Sequence, residues 1–167
     1  MKRSFLTFGA IAILLPGLAF AAPSKEDFIK DALHGDNAEI SVGKLAQQKG
    51  STEGVRNFGK MLATDHTKAK GDVDKLAKSM NVTLEKQVTD DQQSDYDKLA
   101  KLSGKDFDKA FIDQMVDDHQ KDINEFQDEA KAKNGQVSAL ARKQLPTLKK
   151  HLATAQSLQK QEQAASN

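Results

Sequence analysis

The sequence has 167 residues, with 25 Lys and Arg against 24 Asp and Glu, four His, three Pro, and neither Cys nor Trp. A net charge this close to zero supplies no basic field for nucleic acid or anionic lipid. Without Cys there are no disulfides, thiolate zinc sites, iron–sulfur clusters or thiol nucleophiles, so histidine chemistry must come from His34, His66, His119 and His151.

The first segment joins Lys2 and Arg3 to an apolar run from Phe5 to Phe20 and then to Ala19-Phe20-Ala21. These are the three parts of a secretory signal peptide, here residues 1–21, and Pro16 and Gly17 interrupt the run before it reaches the length of a bilayer span. Cleavage after Ala21 removes Lys2 and Arg3 and leaves 23 basic against 24 acidic side chains, so the exported chain stays neutral and carries no transmembrane segment. Without disulfides, it must hold its fold by packing alone.

Residues 22–158 read as one helical domain. Phe28, Ile29, Ala32, Leu33, Ile40, Leu45 and Ala46 recur at helical spacing and predict a helix from about Lys25 to Lys49, opened by Ser24 and stopped by Gly50-Ser51-Thr52. A second stripe runs Val55, Phe58, Leu62, His66, Ala69, Val73, Leu76, Met80. The pattern loosens between Asn81 and Gly104, which predicts a crossover with one short helix. A third long helix from about Lys105 carries Phe107, Phe111, Ile112, Met115, His119, Ile123, Phe126 and Ala130, and ends near Asn134-Gly135. The fourth carries Val137, Leu140, Ala141, Leu145, Leu148, Leu152, Ala155 and Leu158, with Pro146 expected to kink it. Residues 159–167 read as a polar, frayed tail.

No stretch alternates with period two, so the fold class is all-α. Two helical hairpins joined by a crossover match the ferritin-like four-helix bundle, with simple up-down-up-down order as the alternative. Gly54-Val55-Arg56-Asn57-Phe58-Gly59-Lys60 approaches a phosphate-binding loop, but no strand precedes it and Met61 stands where a magnesium-holding hydroxyl belongs.

Heights along the helices single out one layer. His119 and His151 are nearly equidistant from the turn at Asn134-Gly135, and Glu39 and His66 flank the turn near Gly50 within roughly one helical turn of each other. His66, His119 and His151 each replace an expected apolar residue, while Glu39 lies on a small-residue face of Ala32, Gly35, Gly43 and Ala46. Three imidazoles and a carboxylate suit one divalent transition metal, whether zinc, copper, nickel, manganese or iron, with Asp65, Asp118 and Asp122 placed to hold the far ring nitrogens. The alternative is a metal-free polar layer that fixes helix register. His34 falls outside this layer and reads as a surface residue. No nucleophile or oxyanion motif accompanies the layer, so no catalytic residue is assigned.

The signal peptide, Ala38-Glu39-Ile40 with Gly43-Lys44-Leu45-Ala46, Met61-Leu62-Ala63-Thr64-Asp65-His66, Leu102-Ser103-Gly104 with Phe107-Asp108, His119, and Leu145-Pro146-Thr147-Leu148 leading to His151-Leu152 together resemble the bacterial exported domain-of-unknown-function family numbered 4142. The likeness spans about residues 25–158. It implies a ferritin-like bundle in the periplasm or at the outer membrane of Gram-negative bacteria. A non-enzymatic role in envelope maintenance or in metal and stress handling, with an envelope protein as partner, is the expectation for such an exported bundle. The Glu-x-x-His pairs of di-iron bundles are missing, because Ala63, Val116 and Leu148 stand three residues before the respective His.

Overall fold

In the computed structural model, which describes residues 24–165, Ser24 opens the first helix with a reciprocal cap: its hydroxyl accepts from the Asp27 amide, and the Asp27 carboxylate accepts from the Ser24 amide. Five helices follow in order: α1 (Lys25–Lys49), α2 (Glu53–Ser79), α3 (Asp90–Ala100), α4 (Gly104–Lys131) and α5 (Gln136–Ala165). No strand occurs among the described residues, and no helix among them is long and apolar enough to cross a membrane. The expected signal peptide, residues 1–21, lies outside the described residues.

Helices α1 and α2 form one hairpin and α4 and α5 the other, with α3 in the crossover against α1 and α4. Asp108, on α4 and 1% exposed, supports the first turn: its carboxylate accepts from the Ser51 amide, the Ser51 hydroxyl and the Thr52 amide at 2.7–3.0 Å, where α2 begins. Helix α2 ends in a Schellman cap, with Asn81 at φ 56° and Val82 N–H donating to the Ala77 carbonyl. The second turn departs from expectation in one detail. The left-handed residues are Lys133 and Gly135, while Asn134 uses its side chain to donate to Glu129.

Within the first hairpin the helix backbones nearly touch. A Cβ on Gly43 would lie 2.7 Å from the Gly59 carbonyl oxygen, and one on Gly59 would lie 2.6 Å from the Gly43 oxygen. This approach sets the rotation of α1, turning Glu39 and Val42 inward and leaving Ile40, expected on the apolar face, half-buried beside α3. Helix α5 runs through Pro146 and on to Ala165, so the frayed tail expected from Gln159 is instead helical as far as the described residues reach. Gln159 donates to Asp113 on α4 at 2.7 Å, and Leu158 packs on the core, which anchors that last stretch.

The apolar interior is divided. One cluster gathers Phe28, Ile29 and Leu33 of α1, Val73 of α2, Ile123 and Phe126 of α4, and Leu140 and Leu148 of α5. The other gathers Val42 and Leu45, Phe58 and Leu62, Phe111 and Met115, and Ala155 of the same four helices. On every long helix the segment between the two clusters carries a buried polar side chain.

Candidate metal centre

Each long helix reaches the interval between the two clusters about one turn beyond a large apolar residue: Leu33 before Asp36, with Glu39 on the turn after, Leu62 before His66, Met115 before His119, and Leu148 before His151. The helical repeat that buries those apolar residues therefore buries these polar ones. His119 and His151 have no exposed surface, and Asp36, Glu39 and His66 are each 5% exposed.

The three imidazoles converge. Ring centroids lie 5.2 Å apart for His66 and His151, 5.2 Å for His119 and His151, and 5.8 Å for His66 and His119. One nitrogen from each ring lies within 4.8 Å of those of the other two. The remaining nitrogens are held from outside the cluster. His66 Nδ1 pairs with Asp36 Oδ1 at 2.8 Å, His119 Nδ1 with the Met115 carbonyl at 2.9 Å, and His151 Nε2 with Asp65 Oδ2 at 3.2 Å. Each of these acceptors favours a proton on the outer nitrogen, so that in the neutral ring the inner nitrogen has its lone pair directed at the cluster.

The inner nitrogens are His66 Nε2, His119 Nε2 and His151 Nδ1. The latter two are 3.2 Å apart, close to the separation of about 3.3 Å that two imidazole nitrogens take around a tetrahedral zinc. His66 Nε2 is buried and has no hydrogen-bond partner. A buried polar atom without a partner is costly unless another group meets it, and a cation held by all three rings would do so.

Electrostatics keep two rings available. Burial, with repulsion from the neighbouring rings, pushes His119 down to about 3, and burial pushes His151 down to about 4, so both are neutral near pH 7. His66 is different. Burial pulls it down, but the hydrogen bond it donates to Asp36 and the charges of Glu39, Asp36 and Asp122 outweigh this and leave it raised. Burial also raises Asp36, against the opposing pull of His66, and pushes Glu39 up to about 8 and Asp122 up to about 7, with nearby carboxylates adding to both.

The structure brings together His66, His119 and His151 of the residues expected to ligate. Glu39 is buried on the same level and feels His66 electrostatically, but it is not a member of the converging set. Asp65 holds a far nitrogen as expected, whereas Asp118 and Asp122 do not: the rings they were expected to meet are bonded by Asp36 and by the Met115 carbonyl. Asp36 is the partner of the cluster that the sequence pattern did not single out. Its signal was present, since it lies seven residues after Ile29 and three after Leu33, on the buried stripe, as His66 does on its own. His34 lies outside the layer and is half-buried rather than exposed, with Nε2 3.2 Å from the Lys86 carbonyl in the crossover.

A cavity of about 200 Å³ adjoins the centre and is lined by all four long helices, with His66, His151, Asp36, Asp65 and Asp122 on its walls.

Among solved structures, the fold is similar to a crystallised DUF305 fragment from Deinococcus radiodurans, with a TM-score of 0.73 at 13% identity over 84% of this chain and 98% of that one. At that identity the likeness concerns the fold alone. No curated protein matches the sequence. Residues 17–158 match the family described as Domain of unknown function (DUF4142), and the chain belongs to that family.

Proposed function

We propose that this protein is an exported metal-binding bundle of ferritin-like arrangement, in which His66, His119 and His151 hold one divalent transition metal. The observation that carries this reading is the orientation of the rings: three outer nitrogens are engaged by Asp36, Met115 and Asp65, while the inner three converge and His66 Nε2 has no partner. Neutral imidazoles suit zinc, copper, nickel or iron better than a hard cation. The ion would be held by one ring from each of three helices, tying the first hairpin to the second. Export to the periplasm, association with the outer membrane and a role in envelope or metal and stress handling complete the proposal. The signal-peptide pattern of residues 1–21 and the family resemblance support the location; the role is inferred from that location together with the histidine cluster.

The test is metal analysis of the mature protein after zinc loading and desalting. One zinc per chain is expected, with its loss in His119→Ala and His66→Ala. Absence of stoichiometric metal, or unchanged metal in both variants, overturns the reading. The second reading, a polar layer that fixes helix register, has in its favour the Asp36–His66 and Asp65–His151 bonds, which pin α1 to α2 and α2 to α5 without any ion. It is what remains if zinc is not taken up. Cell fractionation checks the location, and retention in the cytoplasm with residues 1–21 intact would contradict export.

A further inference from the structure

The cavity beside the histidine centre has a direction. Its lining includes exposed Asp31 of α1, Glu125 of α4 and Lys143 of α5 at the outer end, and buried Asp36, His66 and His151 at the inner end. It therefore runs from solvent to two of the three imidazoles. Its volume of about 200 Å³ far exceeds the roughly 10–15 Å³ that one water requires, so an ion can travel in it with several waters.

Two features suit this passage to cations. Gly35 stands on its wall in the interior of α1, where a Cβ would meet nothing within 4 Å. At Gly43 and Gly59 the missing methyl groups let two backbones meet, whereas at Gly35 the missing side chain leaves only open space. Charge is the second feature. Asp31, Asp36, Asp65, Asp72, Asp122 and Glu125 line the cavity against two lysines, and both lysines are paired, Lys68 with Asp65 at 3.7 Å and Lys143 with Asp72 at 2.6 Å. A cleft lined mostly by one sign of charge concentrates counter-ions and speeds their arrival, even in a chain close to neutral overall. At the inner end, two residues of the lining each keep a buried atom without a hydrogen-bond partner, Asp36 Oδ2 and His66 Nε2.

We propose that this cavity is the entry route by which a hydrated divalent cation reaches the three-histidine centre while the bundle stays closed. The proposal rests on the reading that the three imidazoles hold the metal. The ion passes Asp31 and Glu125 and then enters between His66 and His151, whose ring centroids are 5.2 Å apart. His151 is the ring that yields, because its bond to Asp65 is 3.2 Å long and Asp65 is partly in solvent, against 2.8 Å for the buried Asp36–His66 pair. The competing route is separation of the two hairpins, which a plug in the cavity would not slow.

The test is stopped-flow uptake of zinc by the metal-free protein, read with a chromophoric zinc indicator, and release of bound zinc into excess chelator. Gly35→Phe, which fills the passage from its wall, is expected to slow uptake and release alike by about tenfold. One zinc per chain should still bind at equilibrium. Ala69→Leu, on the α2 wall of the cavity, is the second plug and carries the test if Gly35→Phe does not fold. Glu125→Lys at the exposed end is expected to slow uptake by about threefold to tenfold at low salt, a difference that closes as salt rises. Asp97→Lys on α3 makes the same change of charge away from the cavity and should match the wild type. Wild-type rates in the folded plug variants overturn the entry route and leave the histidine reading standing. Equal rates for Glu125→Lys and Asp97→Lys overturn the part given to the acidic lining. A wild type that takes up no zinc overturns the histidine reading and this proposal with it.

Discussion

Asp36 on α1 and His66 on α2 meet at 2.8 Å between two buried side chains, and neither has its second polar atom satisfied: Asp36 Oδ2 and His66 Nε2 both lack partners. The pair is thus half of two interactions at once, a bond that orients a ring and two atoms available for something further. Asp65 and His151 make the same kind of contact more loosely, at 3.2 Å and with Asp65 partly in solvent.

This difference ranks two substitutions. Asp36→Asn and Asp65→Asn each weaken the grip on a far ring nitrogen, an effect that costs roughly 10–100-fold in metal affinity at characterised sites. Asp36→Asn is expected at the upper end and Asp65→Asn at the lower, because water can replace the more exposed carboxylate. Competition of each variant with a zinc chelator measures this, and equal affinities for both variants and the wild type would contradict it.

Stability of the metal-free protein should peak in mildly acidic solution. His119 and His151, down at about 3 and about 4 from 6.5, stay neutral when folded and take up protons when unfolded. Their contribution is complete above pH 6.5 and is lost as pH falls through that value toward the folded pKa. Glu39 and Asp122, up at about 8 and about 7 from 4.5 and 3.8, act with the opposite sign: their contribution is complete at low pH and is lost as pH rises toward 7 to 8. His66, also raised, adds to the alkaline loss. Thermal melts should therefore give a higher Tm near about pH 5.5 than at about pH 3.5 or 8.5. A Tm that climbs steadily across that range would contradict the assignment.

The backbone contact between α1 and α2 tolerates no methyl group. Gly59→Ala would place Cβ 2.6 Å from the Gly43 oxygen and 2.7 Å from Ala46 Cβ, so the helices must separate, at a cost of about 1–3 kcal/mol. At Gly71, also inside α2, nothing lies within 4 Å, and Ala there should stabilise by about 0.5–1 kcal/mol through helix propensity. Urea unfolding of the two variants tests the opposite signs.

Asp108 accepts three hydrogen bonds from the turn that starts α2 while itself 1% exposed. Asp108→Ala leaves the Ser51 and Thr52 amides without that acceptor and should destabilise by about 1–3 kcal/mol. The readout is again the urea midpoint, with zinc binding retained because His66 lies several helical turns along α2 from this turn. Loss of zinc binding by a folded Asp108→Ala protein would show that the centre depends on the turn.

The sequence by itself determined the helices and the level of the polar layer. Both follow from local periodicity and from a fixed rise per residue: the stripe through Leu62 and His66 or Met115 and His119 must bury whatever occupies it, and residues equidistant from a turn must meet at one height. Only the tertiary structure decided which atoms meet. The close approach of Gly43 and Gly59 sets the rotation of α1, which brings Asp36 rather than Asp118 or Asp122 to a histidine ring and leaves Glu39 outside the converging set. The Gln159–Asp113 contact keeps helical a tail whose composition alone predicts fraying. Rotation about a helix axis and contacts between helices distant in sequence depend on the partner's surface, and no local pattern encodes that.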